Sequence, residues 1–112
     1  MKDHLWIHYI LSSCDLLKEY APESIEAFEH DAMRQDAILY RLRIIAESAN
    51  RLSIETKKLS KLDWDTIRGF RNVLTHEYHL IDLDRVWSIL FDDIPVLELE
   101  IKRLRDLLET QQ

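Results

Sequence analysis

A chain of 112 residues with one glycine and two prolines has few places to turn. Tight hairpins need glycine, proline or asparagine at set positions, so a sandwich of many short strands is hard to build from this composition. Long helices with short connectors are easy to build from it. The apolar pattern agrees: Ile7, Ile10, Leu11, Cys14 and Leu17 share one face at helical spacing. No segment alternates apolar and polar residues over the length of a strand. The expected fold is all-α, an antiparallel helical bundle of about five helices in a single domain covering residues 1–112.

Punctuation places the helices. The first runs over about 3–20 and ends before Pro22. A short turn or helix, "ESIEAFEH", follows. Asp31 is a candidate N-cap for a long helix over 31–56, striped by Ile38, Leu42, Ile45, Ala49 and Leu52. Extra apolar residues (Ala37, Leu39, Tyr40, Ile44) widen that face, which predicts a central helix with neighbours on two sides. "TKKLSKLD" reads as a polar connector. Asp63 then caps a helix carrying Trp64, Ile67, Phe70 and Leu74. "HLID" breaks the pattern after Tyr78. Asp82 caps the next helix, with Ile81 and Val86 in the two positions of a hydrophobic staple. "DDIP" predicts an interruption, because a residue before proline is pushed out of helical angles. The last helix covers about 95–109.

Charge and cysteine usage narrow the function classes. The net charge of −6 argues against a general coat for nucleic acid. It is uneven, however: residues 41–80 carry 8 basic and 5 acidic side chains, a net of +3 within an acidic chain. A local basic site can still engage a polyanion, although a few solvated helix faces would look the same. One cysteine, Cys14, permits no internal disulfide and reads as a small core residue. No stretch approaches the ~20 apolar residues of a membrane span. The first residues, "MKDHLWIHYI", are interrupted by Asp3 and His4 and do not read as a signal peptide. The expected location is cytoplasmic.

The positive middle contains "RNVLTHEY", Arg71 to Tyr78. On a regular helix Asn72 and His76 lie one turn apart on one face, as do Arg71 and Tyr78 across two turns. Arg71 and His76, five apart, point about 140° away from each other. They converge only if Arg71 curls round or the helix ends near His76. These residue types suit phosphodiester cleavage. A neutral histidine takes a proton from a ribose 2′-hydroxyl, and a protonated one donates to the leaving oxygen. Arginine matches phosphate in a bidentate way and stabilises charge building on it. Asn72 can orient the imidazole or contact the phosphate. No metal or cofactor is required. A second proton-transfer group is missing, with His79 or a partner subunit's His76 as candidates. The competing reading is a solvated arginine beside a histidine hydrogen-bonded at a helix end.

Arg71, "NVLT", His76, Glu77 and Tyr78 resemble the hallmark of the HepT family of small HEPN-domain proteins. That hallmark is arginine, four residues, histidine, any residue and tyrosine, with a polar residue such as Asn72 after the arginine. The resemblance covers nearly the whole chain, including "RQDAILYRLRIIAESANRLS" and "HLIDLDRVWSIL". Ala46-Glu47-Ser48 departs from the common Gly-Glu-Ala, with Glu47 kept. The resemblance implies a toxin of a toxin–antitoxin pair, a metal-independent ribonuclease acting through Arg71 and His76 at the shared cleft of a homodimer. It implies a nucleotidyltransferase antitoxin that transfers AMP from ATP to Tyr78 and silences the toxin. Added bulk and negative charge at an anion site would repel substrate phosphate. The rival expectation is a non-catalytic, nucleotide-binding or dimerising partner of a nucleotidyltransferase.

Further residues carry weaker expectations. Asp36 and Glu47, eleven apart on the long helix, share a face and can hold Arg71 or His76, or form ordinary surface ion pairs. Gly69 permits close approach of a second helix or a phosphate, or marks tight packing within the chain. Arg68 and Arg85 extend a phosphate track or sit on solvated faces. His4 and His8 are a surface pair four apart, and His76 with His79 lacks the spacing of a zinc-protease helix. Trp6, Trp64 and Trp87 lie on apolar stripes or their edges, so core packing is expected over base stacking.

Overall fold

The computed structural model describes residues 2–110. Seven α-helices account for most of them, and no strand occurs among the described residues. They are α1 (Lys2–Tyr20), α2 (Ile25–Glu29), α3 (Ala32–Asn50), α4 (Ile54–Lys57), α5 (Trp64–His76), α6 (Leu83–Ser88) and α7 (Ile94–Thr110). Helix α3 is the hub, packed between α1 and α5, as its wide apolar face requires. The stripe Ile38, Leu42, Ile45, Ala49 and Leu52 is buried throughout. From α1 come Ile7, Ile10, Cys14 and Leu17, and from α7 Leu97, Ile101, Leu104 and Leu108. Phe28 of α2 is fully buried, its ring 6.0 Å from that of Trp87. Burial pushes the Cys14 thiol up to about 12, so the group is an inert core residue.

The aspartate caps act as their spacing predicts. Asp31 accepts from Arg34 N at 3.0 Å, Asp63 from Thr66 N at 3.0 Å and Asp82 from Asp84 N at 2.9 Å. Ile81 and Val86 both join the core. Each cap satisfies a backbone donor that has no partner inside its own helix.

Two expectations are corrected. The helix expected over 31–56 stops at Asn50, and Ser53 starts the short α4 with its own cap to Thr56 N. The cause is distant in sequence. Asp3 of α1, nearly buried, accepts from Ser53 N at 3.0 Å, from the Ser53 hydroxyl at 2.6 Å and from the Thr56 hydroxyl at 2.6 Å. A continuous helix through 51–53 would withdraw the Ser53 donors and leave a buried carboxylate without them.

The second correction is at "DDIP". Ile94 is helical, with φ −63° and ψ −42°, and the chain stays helical from Leu83 to Thr110. A wider π turn over Ile89–Asp93 makes this possible. The Ile94 N–H donates to the carbonyl of Ile89, five residues back. The widened turn relieves the clash between a proline ring and the carbonyl four residues before it. At 1.5 Å per residue this run is about 42 Å long, and it matches the 47 Å long dimension of the molecule.

Candidate functional site

Helix α5 is amphipathic but shallowly seated. Leu74 is its one buried residue, with Trp64, Ile67 and Phe70 half-buried against the core. Its C-terminus is closed locally: the Thr75 hydroxyl donates to Arg71 O at 2.9 Å, and Glu77 N donates to Val73 O at 2.9 Å. The helix therefore ends at His76, and Tyr78–Leu80 form a single 3₁₀ turn. Arg71 and His76 both lie within this helix, so its end does not by itself turn them onto one face.

The outward edge of α3 meets this segment twice. Near its C-terminal end Glu47 faces Arg71, Oε2 to Nη1 at 3.5 Å. Near its N-terminal end Asp36 accepts from the Tyr78 hydroxyl at 3.1 Å. Eleven residues of helix, about 16 Å of rise, separate the two anchors. Helices α3 and α5 thus run antiparallel with a fixed register. Asp36 takes Tyr78, not Arg71 or His76. Burial and the Asp36 carboxylate both push the Tyr78 phenol above its ordinary range. The residue as a whole stays 42% exposed.

Arg71 is half-buried. Its Nε is shielded from solvent and donates to no acceptor among the described residues. Glu47 also holds Arg51, Oε1 to Nε at 3.0 Å, so one carboxylate is shared by two guanidinium groups. A positive charge is left over at this spot. Asn72 and His76 are exposed, and neither has a hydrogen-bond partner among the described residues. That removes the reading of His76 as a histidine tied down at a helix end. No hydrogen bond or ion pair joins Arg71 to His76 within the chain. His79 is exposed on the 3₁₀ turn.

Other candidates fall elsewhere. Arg68 pairs with Asp65 at 2.8 Å on the exposed face of α5. Arg85 lines a hollow of about 390 Å³ with Ile67 and Phe70, on the inner edge of α5. A Cβ on Gly69 would meet nothing within 4 Å, so tight packing inside the chain does not explain this glycine. Arg51 escaped the sequence reading, and Tyr40, expected to widen the packed face of the long helix, is instead 51% exposed. Tyr40 lies on α3 four residues from Asp36, and Arg51, just past the end of α3, lies four residues from Glu47, which is the signal that could have found Arg51.

Comparison with known proteins points one way. A family model described as Ribonuclease HepT-like matches residues 10–104. A protein of Caldanaerobacter subterraneus subsp. tengcongensis, named provisionally as an RNase, is 33% identical over 88% of this chain and 90% of its own. One of Thermococcus cleftensis, named provisionally as a ribonuclease HepT, is 29% identical over 93% of this chain and 94% of its own. A protein of Methanocaldococcus jannaschii, whose name joins a gamma-glutamylcyclotransferase to a provisional RNase, is 30% identical over 94% of this chain. The chain spans only 48% of that relative's length. No solved structure gives a significant match.

Proposed function

The chain belongs to the ribonuclease HepT-like family, and on that premise we propose that it is a metal-independent endoribonuclease toxin whose chemistry lies at Arg71 and His76. The observation that carries this reading is the division of labour at the end of α5. Arg71 is pinned by Glu47 with positive charge to spare, while His76 and Asn72 are exposed and uncommitted. Arg71 binds the scissile phosphate and stabilises the charge that develops on it. Neutral His76 takes the 2′-hydroxyl proton, the 2′-oxygen attacks the adjacent phosphorus, and the 5′-oxygen leaves with a proton from a second group. Asn72, one turn before His76, orients the imidazole or the phosphate.

The second group comes from a homodimer, as the partner subunit's His76. Exposed apolar side chains around the motif support a subunit contact there: Met33, Tyr40, Val73 and Leu80 are 84%, 51%, 36% and 70% exposed. His79 is the candidate within the chain. Tyr78 is the point of control. A nucleotidyltransferase antitoxin transfers AMP from ATP to its oxygen: the phenol oxygen, oriented by Asp36, which takes its proton, bonds to the α-phosphorus as pyrophosphate leaves. The added phosphate places negative charge beside the anion site. The chain works in the cytoplasm, and no helix among the described residues is long and apolar enough to cross a membrane.

The test is RNA cleavage in EDTA by protein purified without its partner, after intact-mass analysis shows Tyr78 unmodified. His76→Ala is expected to abolish cleavage while leaving the helical signal and unfolding midpoint unchanged. Folded, unmodified protein that cleaves no RNA would overturn the nuclease reading in favour of a non-catalytic partner of a nucleotidyltransferase.

A further inference from the structure

Beyond Arg71 the side chains continue in an unbroken line toward α1. Glu47 bridges Arg71 and Arg51 at 3.5 Å and 3.0 Å. The Arg51 guanidinium in turn lies over the Trp6 ring, 5.2 Å from its centroid. The Trp6 ring is 6.0 Å from that of Tyr9, which is 42% exposed. Arg51 is exposed as well, its side chain 54% accessible. A planar cation thus lies over an indole, that indole has an accessible phenol beside it, and the cation is connected through one carboxylate to the phosphate-binding candidate. Core packing alone does not explain this arrangement, because Arg51 and Tyr9 both sit outside the core.

We propose that Arg51 over Trp6, with Tyr9 beside the indole, forms a stacking subsite for one unpaired nucleobase of the RNA, adjacent to the phosphate held by Arg71. Three observations support this occupant. Unpaired bases of single-stranded RNA stack on aromatic rings and on guanidinium planes, and a guanidinium held against an indole presents such a plane ready-made. Two arginines on one carboxylate leave a positive charge that suits the phosphate on either side of that base. The line from Tyr9 to Arg71 is continuous, so one strand can lie along it. The subsite deepens the ribonuclease reading and rests on it. It also predicts that the chain prefers single-stranded RNA, since a paired base cannot enter the stack.

The experiment uses full-length protein carrying His76→Ala, so that RNA is bound and not cut. Affinity is measured by fluorescence anisotropy for a single-stranded oligoribonucleotide and for a series with one abasic residue walked along it. One position is expected to stand out, weakened roughly 5- to 150-fold, the range of one base stack. In Arg51→Ala, and to a smaller degree in Tyr9→Ala, that base preference is expected to collapse. Arg51→Lys is the discriminating variant: it keeps the charge and loses the plane, and it is expected to behave like Arg51→Ala. Retained preference in Arg51→Ala and Tyr9→Ala overturns the subsite. So does wild-type behaviour of Arg51→Lys, which would mean charge alone, and so does dissociation of a dimer in Arg51→Ala, which would mean a subunit contact. Cleavage by the unsubstituted protein is read separately. Base preference without any cleavage would overturn the nuclease reading and leave the subsite standing.

Discussion

At the scale of single residues, Glu47 matters more than its half-exposed position suggests. It fixes Arg71 at 3.5 Å and Arg51 at 3.0 Å, so one substitution loosens two cations. Glu47→Gln is expected to lower turnover about tenfold, or roughly 1.4 kcal/mol of transition-state stabilisation, with the unfolding midpoint nearly unchanged. Cleavage kinetics beside a thermal melt test this, and equal losses in both would mean a purely structural role. Gly69 invites the opposite experiment. It lies within α5 with nothing near its missing side chain and no positive φ. Gly69→Ala should therefore raise the stability of the isolated chain by about 0.5–1 kcal/mol, as a methyl group stiffens the helix. Denaturant unfolding reads that gain. If stability rises while cleavage falls, the open space is needed by RNA or a second subunit.

At the scale of elements, the informative feature is the break between α3 and α4. It is set by Asp3, fifty residues earlier, which gathers three donors from Ser53 and Thr56. Burial raises the pKa of this carboxyl, but the hydroxyls and the Ser53 N–H outweigh burial and hold it below the ordinary 3.8. A carboxylate whose folded pKa is depressed contributes stability above its unfolded pKa and loses it as pH falls through the folded value. The α1–α4 junction should therefore hold at neutral pH and weaken below about pH 4. Asp3→Asn is expected to cost roughly 1.5–3 kcal/mol at pH 7 and to flatten the acid limb of the stability curve. Urea unfolding at pH 7 and pH 3.5 checks both, and an unchanged acid limb would remove Asp3 as its source. The same junction places Arg51 and Trp6 together, so loosening it should also weaken the proposed base subsite. At the other end of the chain the π turn over Ile89–Asp93 keeps α6 and α7 in line across Pro95. That leaves α3 and α5, and not the long helical run, to form the face with the motif.

At the scale of the molecule, the proposed chemistry calls for a second proton-transfer group, which a second copy of the chain would supply. Leu80, 70% exposed on the turn after the motif, belongs to the surface that a second copy is proposed to cover. Leu80→Asp is expected to shift a dimer to monomer in sedimentation or light scattering and to remove cleavage with it. A monomer that cleaves normally would return the missing role to His79. Much of this architecture was legible beforehand. The shortage of glycine, the 3.6-residue stripes and the aspartate caps at Asp31, Asp63 and Asp82 are local signals, and local signals survive into the fold because propensity and burial agree there. The motif itself was legible for the same reason: its residue types and spacing are written within eight positions. Contacts made across the chain were not. Nothing near residue 50 announces that Asp3 will end a helix, and nothing near Pro95 announces that a widened turn will carry it through. Sequence alone thus determined an all-α bundle and where the Arg71–Tyr78 motif lies along the chain. Only the tertiary structure decided that Glu47 meets Arg71, that Asp36 meets Tyr78 and that Arg51 rests on Trp6, because the register between packed helices is set by how their side chains fit together and by no single helix.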